Sequence, residues 1–122
     1  MLRLGHLNLA VTDRARAAAF YRRWFGFDRV LAEYDDGTTF VTDASGFELA
    51  LHEAERAPAR ETHEGWHFGF LAASASTVTE MATAMGDAGV TVEGLEESPS
   101  YVGFRCRDPD GYEIEVYFEP RR

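Results

Sequence analysis

A chain of 122 residues is one domain's worth, large enough for a real core but too short to carry a separate cofactor domain. Its formal net charge of −9, from 12 Lys+Arg against 21 Asp+Glu, argues against a nucleic-acid backbone as ligand, because phosphate neutralisation needs clustered cations. All of the Lys+Arg are arginine, and the lack of lysine excludes Schiff-base chemistry and any phosphate loop that ends in lysine.

Residues 4–11 alternate, with Leu7, Leu9 and Val11 on one side and His6, Asn8 and Ala10 on the other, the pattern of a half-buried strand. Thr12 or Asp13 can cap the next segment. There Ala17, Phe20, Tyr21, Trp24 and Phe25 recur at helical spacing and read as core, leaving Arg16, Arg22 and Arg23 in water, until Gly26 stops the helix. Three strands follow, at about 28–34, 38–42 and 47–53, separated by the turn residues Asp35, Asp36, Gly37 and Ala44, Ser45, Gly46. The order is βαβββ.

Residues 54–65 carry Pro58, many charges and no periodicity, and read as a linker that leaves His63 in solvent. The pattern then restarts. Residues 66–71 alternate, with Phe68 and Phe70 opposite His67 and Gly69, and Trp66 beside His67 is open to either face. Ser74, Ser76 or Thr77 can open a helix with Val78, Met81, Ala82 and Met85 on its apolar stripe, Thr77 and Glu80 offering a capping box, and Gly86 or Gly89 ending it. Strands are expected at about 91–95, 101–107 and 112–118, with Asp108, Pro109, Asp110 and Gly111 turning the last two. A second βαβββ unit results. The expected fold class is α+β in a single domain of residues 1–122: tandem units at about 4–53 and 66–119 form a curved mixed sheet, a half-barrel, around a cleft, with helices outside.

The repeat matches His6 with His67 on the two first strands, and the last strand adds Glu115, so that His, His and Glu could together hold a metal. Parity supports this glutamate, since Ile114, Val116 and Phe118 take one strand face and Glu113, Glu115 and Tyr117 the other. Glu48 and Glu113 have the parity to face a cleft and move a proton, or else lie on a solvated sheet face. His52 is either a cleft base or the end of an edge strand. Tyr101, Arg105 and Arg107 share a strand face and could orient an oxygen-rich ligand. The lone Cys106 alternates with Val102 and Phe104 and reads as a buried structural thiol. No apolar run approaches the roughly 20 residues of a membrane helix, and no signal peptide is visible, so no membrane partner and a cytoplasmic location are expected.

The paired βαβββ units, the GHLNLAVTD opening, the AAFYRRWFGF helix end and the DPDGYEIEV closing hairpin make the whole chain resemble the vicinal oxygen chelate superfamily. That superfamily includes glyoxalase I, fosfomycin-resistance thiol transferases, extradiol dioxygenases and bleomycin-binding proteins. The resemblance implies a divalent-metal-dependent enzyme, glyoxalase-like isomerase or lyase or else dioxygenase-like, acting on a small molecule that chelates through vicinal oxygens. It implies His6, His67 and Glu115 as ligands of Fe, Ni, Co, Mn or Zn; in a glyoxalase-like step Glu48 or another cleft base would move the proton. The position mirroring Glu115 in the first unit, where glyoxalase I has a fourth ligand, is Ala50, which cannot ligate. Glu48 or His52, one same-face step to either side, could take that place after a two-residue shift. A homodimer is also implied, in which His6 of one subunit serves with His67 and Glu115 of the other. The alternative within the same family is a non-catalytic protein of the bleomycin-resistance type that sequesters an antibiotic or aromatic ligand.

Overall fold

The computed structural model describes residues 1–58 and 65–120, so His63 and the middle of the expected linker lie outside the described residues. The chain divides into two compact units, Met1–Ala59 and Arg60–Arg122.

The first unit runs β1 (His6–Val11), α1 (Arg14–Phe25), β2 (Arg29–Glu33), β3 (Thr38–Thr42) and β4 (Glu48–Glu53), with sheet order β1-β4-β3-β2. Short turns make β2–β3 and β3–β4 antiparallel, whereas β1 pairs with β4 in parallel, which the long intervening connection permits. Asp13 caps α1 by accepting from Arg16 N at 3.0 Å, and Gly26 ends it in the left-handed region at φ 73°. The helix packs on β3 and β4. Ala17 and Tyr21, one helical turn apart, are buried with Leu9, Val11, Phe27, Val41, Leu49 and Leu51. The rest of the aromatic stripe is shallower than its spacing suggests. Phe20, Trp24 and Phe25 are only half-buried, because Phe27, just past the helix, fills the core, and Trp24 instead carries the Arg23 guanidinium 4.5 Å from its ring.

In the second unit β5 (Phe68–Leu71), α2 (Ala75–Asp87), β6 (Val92–Ser98), β7 (Tyr101–Arg107) and β8 (Glu113–Phe118) repeat the plan, with sheet order β5-β8-β7-β6 and β5 parallel to β8. The expected α+β class and paired βαβββ order are therefore present as two four-stranded mixed sheets. Two local expectations change. Ser74, not Thr77, caps α2: its hydroxyl accepts from Thr77 N at 3.2 Å, which puts Thr77 inside the first turn and removes the box with Glu80. Strand β6 continues through Glu96 and Glu97 to Ser98, paired to β7 around a tight turn and bulged between Glu93 and Glu96, where Gly94 has φ 65°. That segment lies at a sheet edge and is exposed, so it shows none of the apolar alternation that marks half-buried strands.

Both β-hairpins that end the units turn on an aspartate. Asp43 Oδ1 accepts from Ser45 N at 3.0 Å and Phe47 N at 3.2 Å, and Asp108 Oδ1 from Asp110 N at 2.9 Å and Tyr112 N at 3.0 Å. These turns fix where β4 and β8 begin, and so which residues face away from the helices.

Candidate functional site

In the second unit α2 covers one sheet face with Val78, Ala82 and Met85, against which Phe104, Cys106, Ile114 and Val116 are buried. Strand alternation sends the intervening residues to the other face. There Glu115 on β8 is flanked by Gly69 on β5 and Arg105 on β7, and Glu113 is paired with Arg107. His67 precedes β5 and turns its ring between the two carboxylates. Its Nε2 lies 3.2 Å from Glu115 Oε1, a hydrogen bond, and its Nδ1 lies 3.7 Å from Glu113 Oε2, an ion-pair distance only. The three side chains remain partly open to solvent, at 38% for His67, 24% for Glu115 and 22% for Glu113, so a ligand can reach them.

The two glutamates differ in what else they meet. Arg107 Nη2 donates to Glu113 Oε1 at 3.0 Å, its Nη1 donates to the Gly111 carbonyl at 3.3 Å, and its Nε sits 3.8 Å from Glu93. Glu113 is thus neutralised by a guanidinium. Glu115 Oε2 instead accepts from the Tyr101 hydroxyl at 2.6 Å. Burial, followed by the hydrogen bond to Glu115 and the charge of that carboxylate, pushes the Tyr101 phenol well above its ordinary range, with Arg105 opposing. Tyr101 is therefore a neutral donor at physiological pH. Sequence parity had placed it on the right face without assigning it this partner; the signal available was Gly103, a residue small enough to be crossed.

In the first unit His6 starts β1 and is exposed, and its register partner on β4 is Glu48. Glu48 is half-buried and lines a cleft of about 520 Å³ with Gly26, Asp28, Arg29, Thr42 and Asp43. Ala50 is paired with Asn8 and buried, in the position that Glu115 holds beside Gly69 in the second unit. Glu48 and His52 stand one same-face step to either side. His52 Nδ1 lies 2.8 Å from Thr38 Oγ1, and β4 is an interior strand, so His52 does not end an edge strand.

Among the described residues no group of three His, Cys, Asp or Glu side chains is placed to hold a metal ion. What the second unit does bring together is one imidazole nitrogen and one carboxylate oxygen, donor types that a borderline divalent ion accepts, so the pair fits the group that the resemblance implies. Cys106 is buried, with its thiol pushed up to about 12 by burial first and Asp108 second, against Arg107. No helix among the described residues is long and apolar enough to cross a membrane.

The chain is similar in structure to a possible glyoxalase from Bacillus cereus, with 26% identity over 95% of this chain and 98% of that one and a TM-score of 0.79. It is similar to lactoylglutathione lyase from Agrobacterium tumefaciens, with 25% identity, 95% and 92% coverage and a TM-score of 0.72. The oxidase ChaP-H2 shares the fold, at 19% identity, 98% and 94% coverage and a TM-score of 0.75. A comparison with curated proteins gives no match. The family model described as Glyoxalase/Bleomycin resistance protein/Dioxygenase superfamily matches residues 3–116, nearly the whole of the two βαβββ units, and the chain belongs to that superfamily.

Proposed function

We propose that this chain is a divalent-metal-dependent enzyme acting on a small molecule that presents two neighbouring oxygens, with His67, Glu115 and His6 as metal ligands and Glu48 as the base. The observation that carries the reading is the convergence of His67 Nε2 and Glu115 Oε1 to 3.2 Å on a solvent-accessible face, with no arginine ion-paired to that carboxylate among the described residues. A bound ion would supply Lewis-acid polarisation of the substrate oxygens. The chain's own residues do the rest. His67 and Glu115 give one neutral and one anionic donor; His6, the repeat counterpart of His67, gives a second neutral one. Glu48, with its carboxylate on the helix-free side of β4 and at the edge of the first unit's cleft, accepts a proton from the substrate and returns it.

A glyoxalase-like isomerase or lyase step is supported by the similarity to lactoylglutathione lyase at 25% identity. Ala50, buried where a fourth ligand would stand, supports a three-donor set, which also suits dioxygenase chemistry. The family resemblance further supports a homodimer with His6 supplied across the interface, and light scattering of the purified protein tests it: a stable monomer at micromolar concentration removes the cross-subunit arrangement.

Metal analysis of the purified protein beside His6→Ala, His67→Ala and Glu115→Ala is the direct test. Stoichiometric divalent metal in the parent protein and its loss in each variant is the expected result, whereas unchanged occupancy in the variants overturns the site. Glu48→Gln is expected to keep the metal and to lose turnover by about 10²–10⁴-fold. Tight ligand binding under chelator with no turnover would replace the enzyme by a binding protein of the bleomycin-resistance type.

A further inference from the structure

We infer that Tyr101 is the positioning residue for Glu115, its hydroxyl holding Oε2 so that Oε1 is left facing His67 as the oxygen that would serve a cation. The inference rests on the reading of Glu115 as a metal ligand and adds how that ligand is oriented.

The contact is short. At 2.6 Å the phenol–carboxylate bond lies in the range of charge-assisted O–H···O⁻ bonds, which are about twice as strong as neutral ones. It is also built rather than incidental, because the register alone does not bring these groups together. Glu115 is paired with Arg105, four residues along β7 from Tyr101. To reach it the Tyr101 side chain must lie along the strand, across Gly103. A Cβ on Gly103 would collide with the Tyr101 hydroxyl and ring, so only glycine leaves that path open. Tyr117 stacks on the Tyr101 ring at 6.3 Å with an interplanar angle of 16°, which keeps the ring in its path. On the β5 side Gly69 gives Glu115 its room: a Cβ there would come within 3.2 Å of the Tyr117 ring and 3.3 Å of the Glu115 carbonyl oxygen.

The chemistry of the partner matters as much as its geometry. Arg105 is the register partner of Glu115, yet among the described residues no ion pair joins them. A Cβ on Gly94 would meet the Arg105 guanidinium, which lies against that glycine's bare backbone. Glu113, two residues away, shows the other outcome, since Arg107 takes its charge. A neutral phenol orients Glu115 while leaving its negative charge for a cation. An arginine in that place would orient it and cancel it. Outer-shell partners of this kind are worth about 10–100-fold in metal affinity.

The test is Co²⁺ binding by calorimetry, with the visible spectrum of the Co²⁺ form, on the full chain and on Tyr101→Phe, Gly103→Ala and Glu115→Ala. Tyr101→Phe is expected to weaken Co²⁺ binding about tenfold or more and to alter the spectrum. Gly103→Ala, which retains Tyr101 but obstructs its path, is expected to do the same, and it serves if the first variant does not fold. Glu115→Ala is expected to abolish specific binding. Parent-like affinity and spectrum in both Tyr101→Phe and Gly103→Ala, with binding lost in Glu115→Ala, overturn the role of Tyr101 while leaving the metal site standing. Unchanged binding in Glu115→Ala overturns the metal reading itself and the positioning role with it.

Discussion

Glu113 and Glu115 stand two residues apart on the same face of β8, yet one meets the guanidinium of Arg107 and the other a phenol and an imidazole. Sequence parity treats them as equals, since both alternate with Ile114 and Val116. What separates them is the hairpin: Arg107 and Glu113 are paired across the Asp108–Tyr112 turn, where opposite charges close the ladder. Cys106, next to that arginine, is the clearest case of a residue read correctly from alternation, being 1% exposed with its thiol raised to about 12. Its protonation has a defined sign. Below the unfolded thiol's value, about 8.5, both states keep the proton and Cys106 adds no pH dependence. Between there and about 12 the unfolded chain releases a proton that the folded chain keeps, so stability falls as pH rises, by up to about 1.4 kcal/mol per pH unit. Urea denaturation of the parent and of Cys106→Ala at pH 8 and pH 10 checks this. The parent should lose more stability between the two pH values than the variant, and equal losses would show that the thiol ionises alike in both states.

Element boundaries were most legible where chemistry punctuates them. Strands β3 and β7 begin and end at the residues that the flanking Gly, Asp and Ser turns suggest. Ser74, Ser76 and Thr77 are all capable caps for α2, and only the backbone decides. Ser74 is extended, at φ −155° and ψ 159°, and its hydroxyl reaches Thr77 N. At the other end Val90 N bonds Met85 O at 2.9 Å and Gly89 N bonds Gly86 O at 3.1 Å, a Schellman closure with Gly89 at φ 83°. Because α2 has no acidic residue in its first turn, Ser74 carries its N-terminal stabilisation. Ser74→Ala is expected to cost about 1 kcal/mol in thermal or urea unfolding, and Ser76→Ala, one turn position inside the helix and exposed, only a few tenths. Equal costs would assign the cap wrongly.

Across the whole molecule the repeat was legible as pattern and the departure from it as a single letter, Ala50 against Glu115. Its physical basis was not. Ala50 is 1% exposed, enclosed beside Asn8 and Phe40 in the register, whereas Glu115 has the bare Gly69 beside it and the crossing Tyr101 above. At the mirrored position the first unit encloses a methyl group, and pattern alone does not reveal that it is buried. Restoring the symmetry by Ala50→Glu is therefore expected to bury an unpaired carboxyl and to lower stability by about 3 kcal/mol or more, rather than to add a donor. Unfolding measurements decide it, a parent-like stability with increased metal affinity being the contrary result. In the same unit His6 and Glu48 are register partners on neighbouring strands.

Strand β6 bears on a different property. It forms one edge of its sheet, runs seven residues and is exposed from Glu93 to Ser98, so its backbone is a template on which a stray strand from another chain could add. Glu93, Glu96 and Glu97 line that edge with like charge, and the bulge at Gly94 breaks its flatness. The acidic run that hides this strand from a reading by apolar alternation also sets like charge against a second copy of the same edge. That repulsion is electrostatic, and added salt screens it.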